Sequence, residues 1–258
     1  MPAWAIASIP YFGYVTAVAL TRPHGPAAGR RLALAWCAVG FTIAAAGALG
    51  PWTWLRVIVL PPLALLASYW ASGSLWVGPM PRVEHLLVTS DEALHVRRIA
   101  AAMPRVLVEF QEFSYAAVYP LIPLALAAHY ALSPVPDADR FWTVILVTDF
   151  ICFGMLPWIQ TRPPRALESR PPWRSAFRAF NVRLLGQTSI GVNTVPSGHA
   201  AEALAAALML SSAPWPVASI MWIFAVSISA GAVFGRYHFA LDALAGWLVA
   251  LGVWAILW

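Results

Sequence analysis

The sequence lacks lysine altogether and is poor in charge of either sign. Charged residues make up 10% of its 258 residues, hydrophobic residues make up 60%, and the mean hydropathy is +0.70. Soluble domains carry roughly 25% charged residues. The composition therefore excludes an ordinary soluble domain and indicates an integral membrane protein.

Cysteine is scarce as well. Cys37 and Cys152 both fall inside apolar segments, and two such residues build neither a disulfide framework nor a zinc site. We interpret both as small buried hydrophobic residues.

What the sequence does contain is a series of hydrophobic runs near the ~20 residues that span a bilayer. They predict an all-α, polytopic helical bundle with six to eight transmembrane helices, in which 1–112 precede a catalytic core at 113–258 within one integrated domain. The first run is either a span or an interfacial segment, and the sixth is short. The eight runs are Ala3–Leu20, Leu32–Leu49, Trp54–Trp76, Phe113–Leu132, Phe141–Ile159, His199–Ala213, Val217–Phe234 and Phe239–Trp258.

The arginines predict an orientation. With eight spans, fourteen of the sixteen arginines lie in loops on one face, and only Arg56 and Arg140 lie on the other. The positive-inside rule puts the arginine-rich face in the cytoplasm, in what we expect to be a bacterial inner membrane.

Two loop segments predict amphipathic helices at the membrane interface. In the first, Asp91–Met103, Ser90 is expected to cap the helix start. The second is expected to open at Pro171-Pro172 and close at Gly186. It carries an aromatic stripe and a parallel basic stripe, Arg170, Arg174 and Arg178, a pattern that suits an anionic membrane surface.

His238 and Asp242 form the first part of a candidate reaction site. They are spaced i, i+4, so on a helix they share a face and can hydrogen-bond. A carboxylate that accepts from one imidazole nitrogen fixes the tautomer and leaves the other nitrogen as a nucleophile or base.

Pro196-Ser-Gly-His199 forms the second part. His199 opens a hydrophobic segment, and helix N-termini favour anions; Ser197 and Gly198 permit close approach of a phosphate. The guanidinium groups of Arg162, Arg165 and Arg236 match phosphate oxygens. The predicted topology brings these stretches to one face of the membrane, and together they predict phosphoryl transfer.

Other polar residues in the segments have open roles. Glu202 either orients His199 or is a partly buried acid, and Asp149 is expected to pair structurally. His199, His238 and Asp242 also match a two-histidine, one-carboxylate metal site. The flanking arginines favour an anion over a cation, so no metal is expected.

Val195–Ala200 and Gly235–Gly246 resemble the second and third signatures of the type 2 phosphatidic acid phosphatase superfamily, and the resemblance covers roughly residues 113–258. It implies that His238 is a nucleophile oriented by Asp242 and that His199 protonates the leaving oxygen. It also implies that the phosphoryl group is bound by Ser197, Gly198, Arg162 and Arg236. It further implies a site on the extracytoplasmic face, whereas the arginine count indicates the cytoplasmic face, and both orientations stay open.

The chain departs from that family pattern at two positions. Met155 stands where the first signature has lysine, with Arg165 as a candidate substitute, and Ala232 stands where the third signature has arginine. Such variants resemble the branch that contains inositol phosphorylceramide synthase-like phosphotransferases.

We therefore expect a metal-independent lipid phosphate phosphatase that works through a phosphohistidine. The alternatives are a lipid phosphotransferase with an alcohol acceptor and a non-catalytic lipid carrier or scaffold. The expected partner is a membrane lipid with a phosphate headgroup, with no cofactor and no nucleic acid, and the oligomeric state stays open.

Overall fold

The computed structural model describes residues 1–22, 26–51, 53–133 and 136–257, and these are almost entirely helical, as predicted. A single bridge between Thr161 and Asn193 is the one pairing of extended backbone among them. A π-helical turn, Leu55–Val59, leads directly into the third helix. The α-helices are α1 Ala3–Thr21, α2 Ala27–Leu49, α3 Leu60–Gly73, α4 Pro81–Ala93, α5 Val96–Ala102, α6 Arg105–Ala116, α7 Val118–Leu132, α8 Ala138–Gly154, α9 Pro164–Leu167, α10 Ala176–Thr188, α11 Gly198–Met209, α12 Trp215–Phe234 and α13 Ala240–Leu257.

Five helical stretches in the described residues are long and apolar enough to cross a membrane: α1, α2, Leu55–Gly73, α12 and α13. A sixth is added if α6 and α7, which meet at 66°, form one bent span. Pro120 explains the bend, because a proline lacks the N–H that would bond the carbonyl of Ala116 and its ring clashes with that carbonyl. The molecule is thus a polytopic helical membrane bundle, and the end of the last predicted span, Trp258, lies outside the described residues.

The prediction of six to eight transmembrane helices agrees with this bundle, but two of the eight hydrophobic runs form helices that are short for a bilayer. The fifth predicted segment forms α8, with 17 residues, and the sixth forms α11, with only 12. Most of the α11 side chains are buried, many of them alanines, and α11 packs against α7, α8, α12 and α13. A helix enclosed by others need not match the bilayer thickness, and small side chains let neighbouring backbones approach closely.

Long-range hydrogen bonds collect the motif-bearing segments at one end of the bundle. The backbone N–H of Arg165 donates to the carbonyl of Arg236 at 2.9 Å, and that of Ser197 donates to the carbonyl of Asp242 at 2.9 Å. At the other end, the N–H of Ala3 donates to the carboxylate of Asp139. The sequence prediction that the exits of the fifth and seventh segments meet the start of the sixth is therefore correct.

The first interfacial helix was placed wrongly. The segment forms two helices, α4 and α5, separated at His95, whose φ of 52° lies in the left-handed region. Ser90 lies near the end of α4 and donates to the carbonyl of Leu87, so it caps no helix start. Asp91 serves tertiary contacts with the loop before α13 instead.

The second interfacial helix begins later than predicted, at Ala176 rather than at the proline pair, and ends at Thr188. Ser175 is its N-cap and accepts from the backbone N–H of Arg178 at 3.1 Å. The predicted basic stripe does not form on this helix, because Arg170 and Arg174 are exposed but precede it and the Arg178 side chain is buried. Two prolines and a tryptophan ahead of the helix form an irregular entry, because the cap residue decides where helical hydrogen bonding starts.

Candidate active site

A cavity of about 980 Å³ opens between α3, α7 and α11, at the upper end of the size that binding pockets reach. Its lining on α7 runs from Val118 to Tyr130, which at 1.5 Å per residue corresponds to about 18 Å of helix. The walls are mainly apolar, and wall residues such as Ile58 and Leu66 are 62% and 50% exposed. Charged and histidine side chains enter the cavity only near one end of α11; within the described residues they are Arg165, His199, Glu202 and His238.

The loop between α12 and α13 places His238 in the cavity wall. Arg236 adopts a left-handed φ of 64°, and the carbonyl of Ala232 accepts from the backbone N–H groups of both Tyr237 and His238 at 2.9 Å. This turn directs Tyr237 and His238 to the cavity, whereas Arg236 and Phe239 line a second cavity of about 540 Å³ on the other side of the loop.

His238 and Asp242 do not share a helix face, contrary to expectation. His238 precedes α13, which begins at Ala240. Asp242 is the third residue of that helix, and its Oδ2 accepts from the N–H of Phe239 at 2.9 Å, one half of a capping box. The i, i+4 spacing therefore brings the pair together through a helix cap, with His238 Nδ1 3.7 Å from Asp242 Oδ2.

A residue that the sequence did not single out, Asn193, holds the Asp242 carboxylate. Its side-chain amide donates to Asp242 Oδ2 at 2.8 Å and to the hydroxyl of Thr161 at 3.1 Å. Asp242 is fully buried, and these contacts fix its orientation beside the imidazole. These contacts span 32 and 49 positions, so no local sequence signal marks Asn193.

His199 lies across the cavity end from His238, and their ring centroids are 5.9 Å apart. It is the second residue of α11, where the helix dipole favours an anion; the N–H groups of Gly198 and Ala200 already donate to Thr194 and Ser197. Its ring stacks on Tyr115 at 5.4 Å, and Tyr115 stacks on Tyr237 at 4.0 Å. The described structure thus brings both predicted histidines to one small volume.

The aromatic stack rests on a buried polar cluster around Glu112. Glu112 accepts from the Tyr237 hydroxyl at 2.7 Å, from Arg178 at 3.0 Å and from the Asn181 amide at 2.8 Å. Burial raises the pKa of Tyr237, so its hydroxyl stays protonated and donates. The cluster fixes the Tyr237–Tyr115–His199 stack to α10.

Ser197 and Gly198 have roles that the structure separates. The Ser197 side chain is buried and accepts from the N–H of Ala200 at 3.4 Å, so it caps α11 and lies outside the cavity lining. Gly198 lines the cavity, and a Cβ at that position would lie 2.8 Å from the Phe153 ring. Glycine is therefore required for the close packing of the α11 start against α8.

Of the three predicted phosphate-binding arginines, only Arg165 lines the cavity. Its guanidinium lies 3.5 Å from the carbonyl of Tyr237, and the described residues offer it no carboxylate partner. A guanidinium with free donors at this position can bind phosphate oxygens in a two-pronged geometry.

The structure does not bring Arg162 and Arg236 into the cavity. Arg162 forms a two-pronged pair with Glu84 at 2.8 and 3.1 Å, and these bonds lower the pKa of the Glu84 carboxyl. Arg236 pairs with Asp91 and, at 2.8 Å, with Glu168. The guanidinium groups of Arg162 and Arg236 are therefore both occupied by carboxylates of the protein. These carboxylates are too distant in sequence to have been assigned as partners.

Asp91 links α4 to the loop between α12 and α13. Its carboxylate accepts from Arg236 and from the backbone N–H of Ala240 at 2.9 Å, at the start of α13. Burial is the largest influence on this carboxyl and raises its pKa. Asp91, which we predicted at the start of a helix, therefore forms tertiary contacts instead.

Glu202 lines the cavity one helical turn deeper than His199, whereas Asp149 lies behind the wall. Asp149 Oδ1 is 3.5 Å from the position that a Cβ on Gly198 would take, and Asp149 is 0% exposed. The sequence led us to expect a structural partner for Asp149. In the described residues none is found, and neither of its oxygens accepts a hydrogen bond. In the same part of the chain, no group of three or more His, Cys, Asp and Glu is arranged to hold a metal ion.

Fold and site together define a polytopic membrane protein with a two-histidine site at the head of an apolar cavity. The family model of the PAP2 superfamily matches residues 80–256, more than half of the chain. The chain belongs to the PAP2 superfamily, whose members are phosphatases and phosphotransferases. Comparisons with curated proteins and with solved structures find no match.

The matched region begins before the predicted start of the catalytic core at residue 113. It includes α4, which carries Glu84 and Asp91. The boundary at residue 113 and the likeness to the inositol phosphorylceramide synthase branch stay predictions.

Proposed function

We propose that the protein hydrolyses a lipid phosphate monoester through a covalent phosphohistidine at His238, without a metal. The observation that carries this proposal is the placement of His199 and His238 at the charged end of an apolar cavity. The cavity accommodates a lipid chain, whose burial contributes about 0.8 kcal/mol per methylene group. The phosphate then lies between the two imidazoles and Arg165.

His238 is the nucleophile in this mechanism. Because Nδ1 faces Asp242, Nε2 on the other side of the ring attacks phosphorus. The N–P bond forms as the bond from phosphorus to the lipid oxygen breaks. Asp242 stabilises the positive charge that develops on the imidazole.

His199 moves the protons. In its protonated form it donates to the leaving lipid oxygen, and in its neutral form it then takes a proton from water that attacks the phosphohistidine. The N–P bond breaks, inorganic phosphate leaves and His238 is regenerated. Arg165 and the positive end of the α11 dipole neutralise the charge on the transferring group.

The test is an assay of the purified protein with a lipid phosphate in the presence of a chelator. We expect release of inorganic phosphate that the chelator does not change. Loss of activity with the chelator would indicate a metal site built from His199, His238 and Asp242, and retention of activity by a folded His238→Ala variant would remove the proposed nucleophile.

A lipid phosphotransferase is the second candidate, and one observation favours it. Arg165 is the only arginine among the described lining residues of this cavity, and a single guanidinium suits a phosphodiester with one negative charge. An alcohol would then replace water as acceptor. Formation of a new phospholipid without release of inorganic phosphate would identify this reaction.

We also propose that the site opens to the cytoplasmic side of the membrane, because the arginine-rich loops lie at the same end as the site. Gln187 is exposed on α10, and both native cysteines are buried. A Gln187→Cys variant should react with an impermeant thiol reagent only after the membrane is opened. Reaction in sealed cells would place the site on the outer side.

A further inference from the structure

Glu202 is an acid in an otherwise apolar stretch of the cavity wall. It follows His199 by three residues on α11, which places it about 4.5 Å deeper along the helix axis. Its neighbours in the lining include Ile122, Leu126 and Phe153. A lipid whose phosphate lies at the histidines would place the first carbons of its backbone beside this carboxylate.

The protein does not satisfy this acid. In the described part of the chain, no donor forms a hydrogen bond with the Glu202 carboxylate. Asp149 adds a second acid on the same side of α11, because Gly198, which it contacts, and Glu202 are spaced i, i+4. Asp149 is fully buried, and both of its oxygens also lack a hydrogen-bond donor.

Asp149 is buried without a hydrogen-bond donor, and Glu202, which is only partly buried, faces the cavity without one. Burial of a polar or charged group without a partner destabilises a protein, and ionisable groups inside membrane proteins mark functional sites. A ligand that donates a hydrogen bond at this depth satisfies Glu202, whereas one that presents only ester or ether oxygens places acceptor against acceptor.

We propose that Glu202 selects lipid phosphates that carry a hydroxyl or amide N–H on the carbon next to the phosphate-bearing carbon. This inference rests on the proposed use of the cavity as a lipid phosphate site, and it narrows the substrate to that class. Lipids with an esterified or unsubstituted carbon at this position are the disfavoured substrates.

A matched pair of lipids tests the proposal. Oleoyl lysophosphatidate carries a free hydroxyl on that carbon, and oleoyl-propanediol phosphate is the same molecule without it. A site built to bind a hydroxyl rejects the analogue that lacks it. For the purified full-length protein in detergent micelles, we expect a kcat/KM at least about tenfold higher for the hydroxyl lipid, well within the discrimination that a hydrogen-bonding site provides.

Three variants test whether Glu202 causes this preference for the hydroxyl lipid. Glu202→Leu should bring the ratio between the two lipids to within about threefold, and Glu202→Gln, which keeps an acceptor oxygen, should give an intermediate ratio. Glu109→Leu is the matched control, because Glu109 pairs with Ser175 away from the cavity, and it should keep the wild-type ratio. A ratio taken within one protein cancels differences in the folded fraction.

Lipid-dependent thermal stabilisation supplies a readout that is independent of catalysis, because a ligand that binds only the folded state raises the melting temperature. Stronger stabilisation by the hydroxyl lipid, lost in Glu202→Leu, supports the inference even if no phosphate is released; the proposed function would then fail alone. Hydrolysis of both lipids at equal rates, or a preference that survives Glu202→Leu, overturns the inference and leaves the proposed function standing.

Discussion

On the cavity side of the loop Gly235–Phe239, His238 Nδ1 lies 3.7 Å from Asp242 Oδ2. Arg165, on the same side, has no carboxylate partner among the described residues. On the opposite side, Arg236 is held by Asp91 and Glu168 and is almost fully buried. The first side keeps its polar groups available for a ligand, and the second uses them within the protein. Arg165 and Arg236 are the same residue type on two sides of one loop, and only the first is left available for a ligand.

The largest effect expected from this comparison is on catalysis. His238→Ala should lower turnover at least ~10³-fold, because deletion of a nucleophile removes most of the chemical step, while the melting temperature should change little. Rates with a lipid phosphate and thermal melts measure both. A variant that unfolds instead would show that His238 has a structural role, like Arg236.

On the other side of the loop, Arg236→Ala should chiefly reduce stability. It leaves two carboxylates buried without their partner, and removal of one member of a buried ion pair typically lowers the free energy of unfolding by about 3–5 kcal/mol. Denaturant unfolding in micelles measures this. The Asp91→Asn, Arg236→Gln double variant should recover part of the lost stability. If Arg236→Ala is instead stable but inactive, Arg236 binds the phosphate rather than stabilising the fold.

A third prediction concerns Arg165, the arginine on the cavity side of the loop. Arg165→Lys keeps the charge but loses the two-pronged geometry, and we expect kcat/KM to fall about 30- to 1000-fold, equivalent to about 2–4 kcal/mol. Arg162→Lys is the matched control, because Arg162 pairs with Glu84 outside the cavity, and its loss should be much smaller. Equal losses would mean that both arginines reach the phosphate.

The smallest effect concerns the Glu84–Arg162 pair and its pH dependence. The pKa of Glu84 is lowered in the folded protein, so its contribution to stability is present above the ordinary carboxyl pKa and is lost as the pH falls through the lowered value. In Glu84→Gln this part of the acid dependence should disappear. Arg162 is about half exposed, so only a small difference between melting curves is expected.

The helical architecture was predictable because hydrophobic runs and membrane thickness determine it together. The lengths of α8 and α11 were not predictable, because a helix buried inside the bundle need not be as long as the bilayer is thick. Sequence position also identified His199 and His238, since each lies at the start of a hydrophobic segment on the same predicted side.

The partners of the site residues were beyond sequence reasoning. Asp91 and Glu84 reach their arginines across 145 and 78 positions, and local spacing carries no information on such contacts. The His238–Asp242 spacing suggested a helix face, whereas a capping box uses the same interval with one residue outside the helix. Asn193 and the Tyr115–Tyr237 stack likewise depend on tertiary packing.

The central claim is that His238 carries the transferred phosphoryl group, and one measurement tests it most directly. The protein is mixed with an aryl phosphate, quenched in alkali because phosphohistidine is acid-labile, and mapped by mass spectrometry. The account predicts a phosphoryl group on His238 that accumulates in His199→Ala, since an activated leaving group needs little protonation while the hydrolysis step still needs the base. Turnover with no phosphoryl group on His238 in either protein, or a phosphoryl group on another residue, would contradict it.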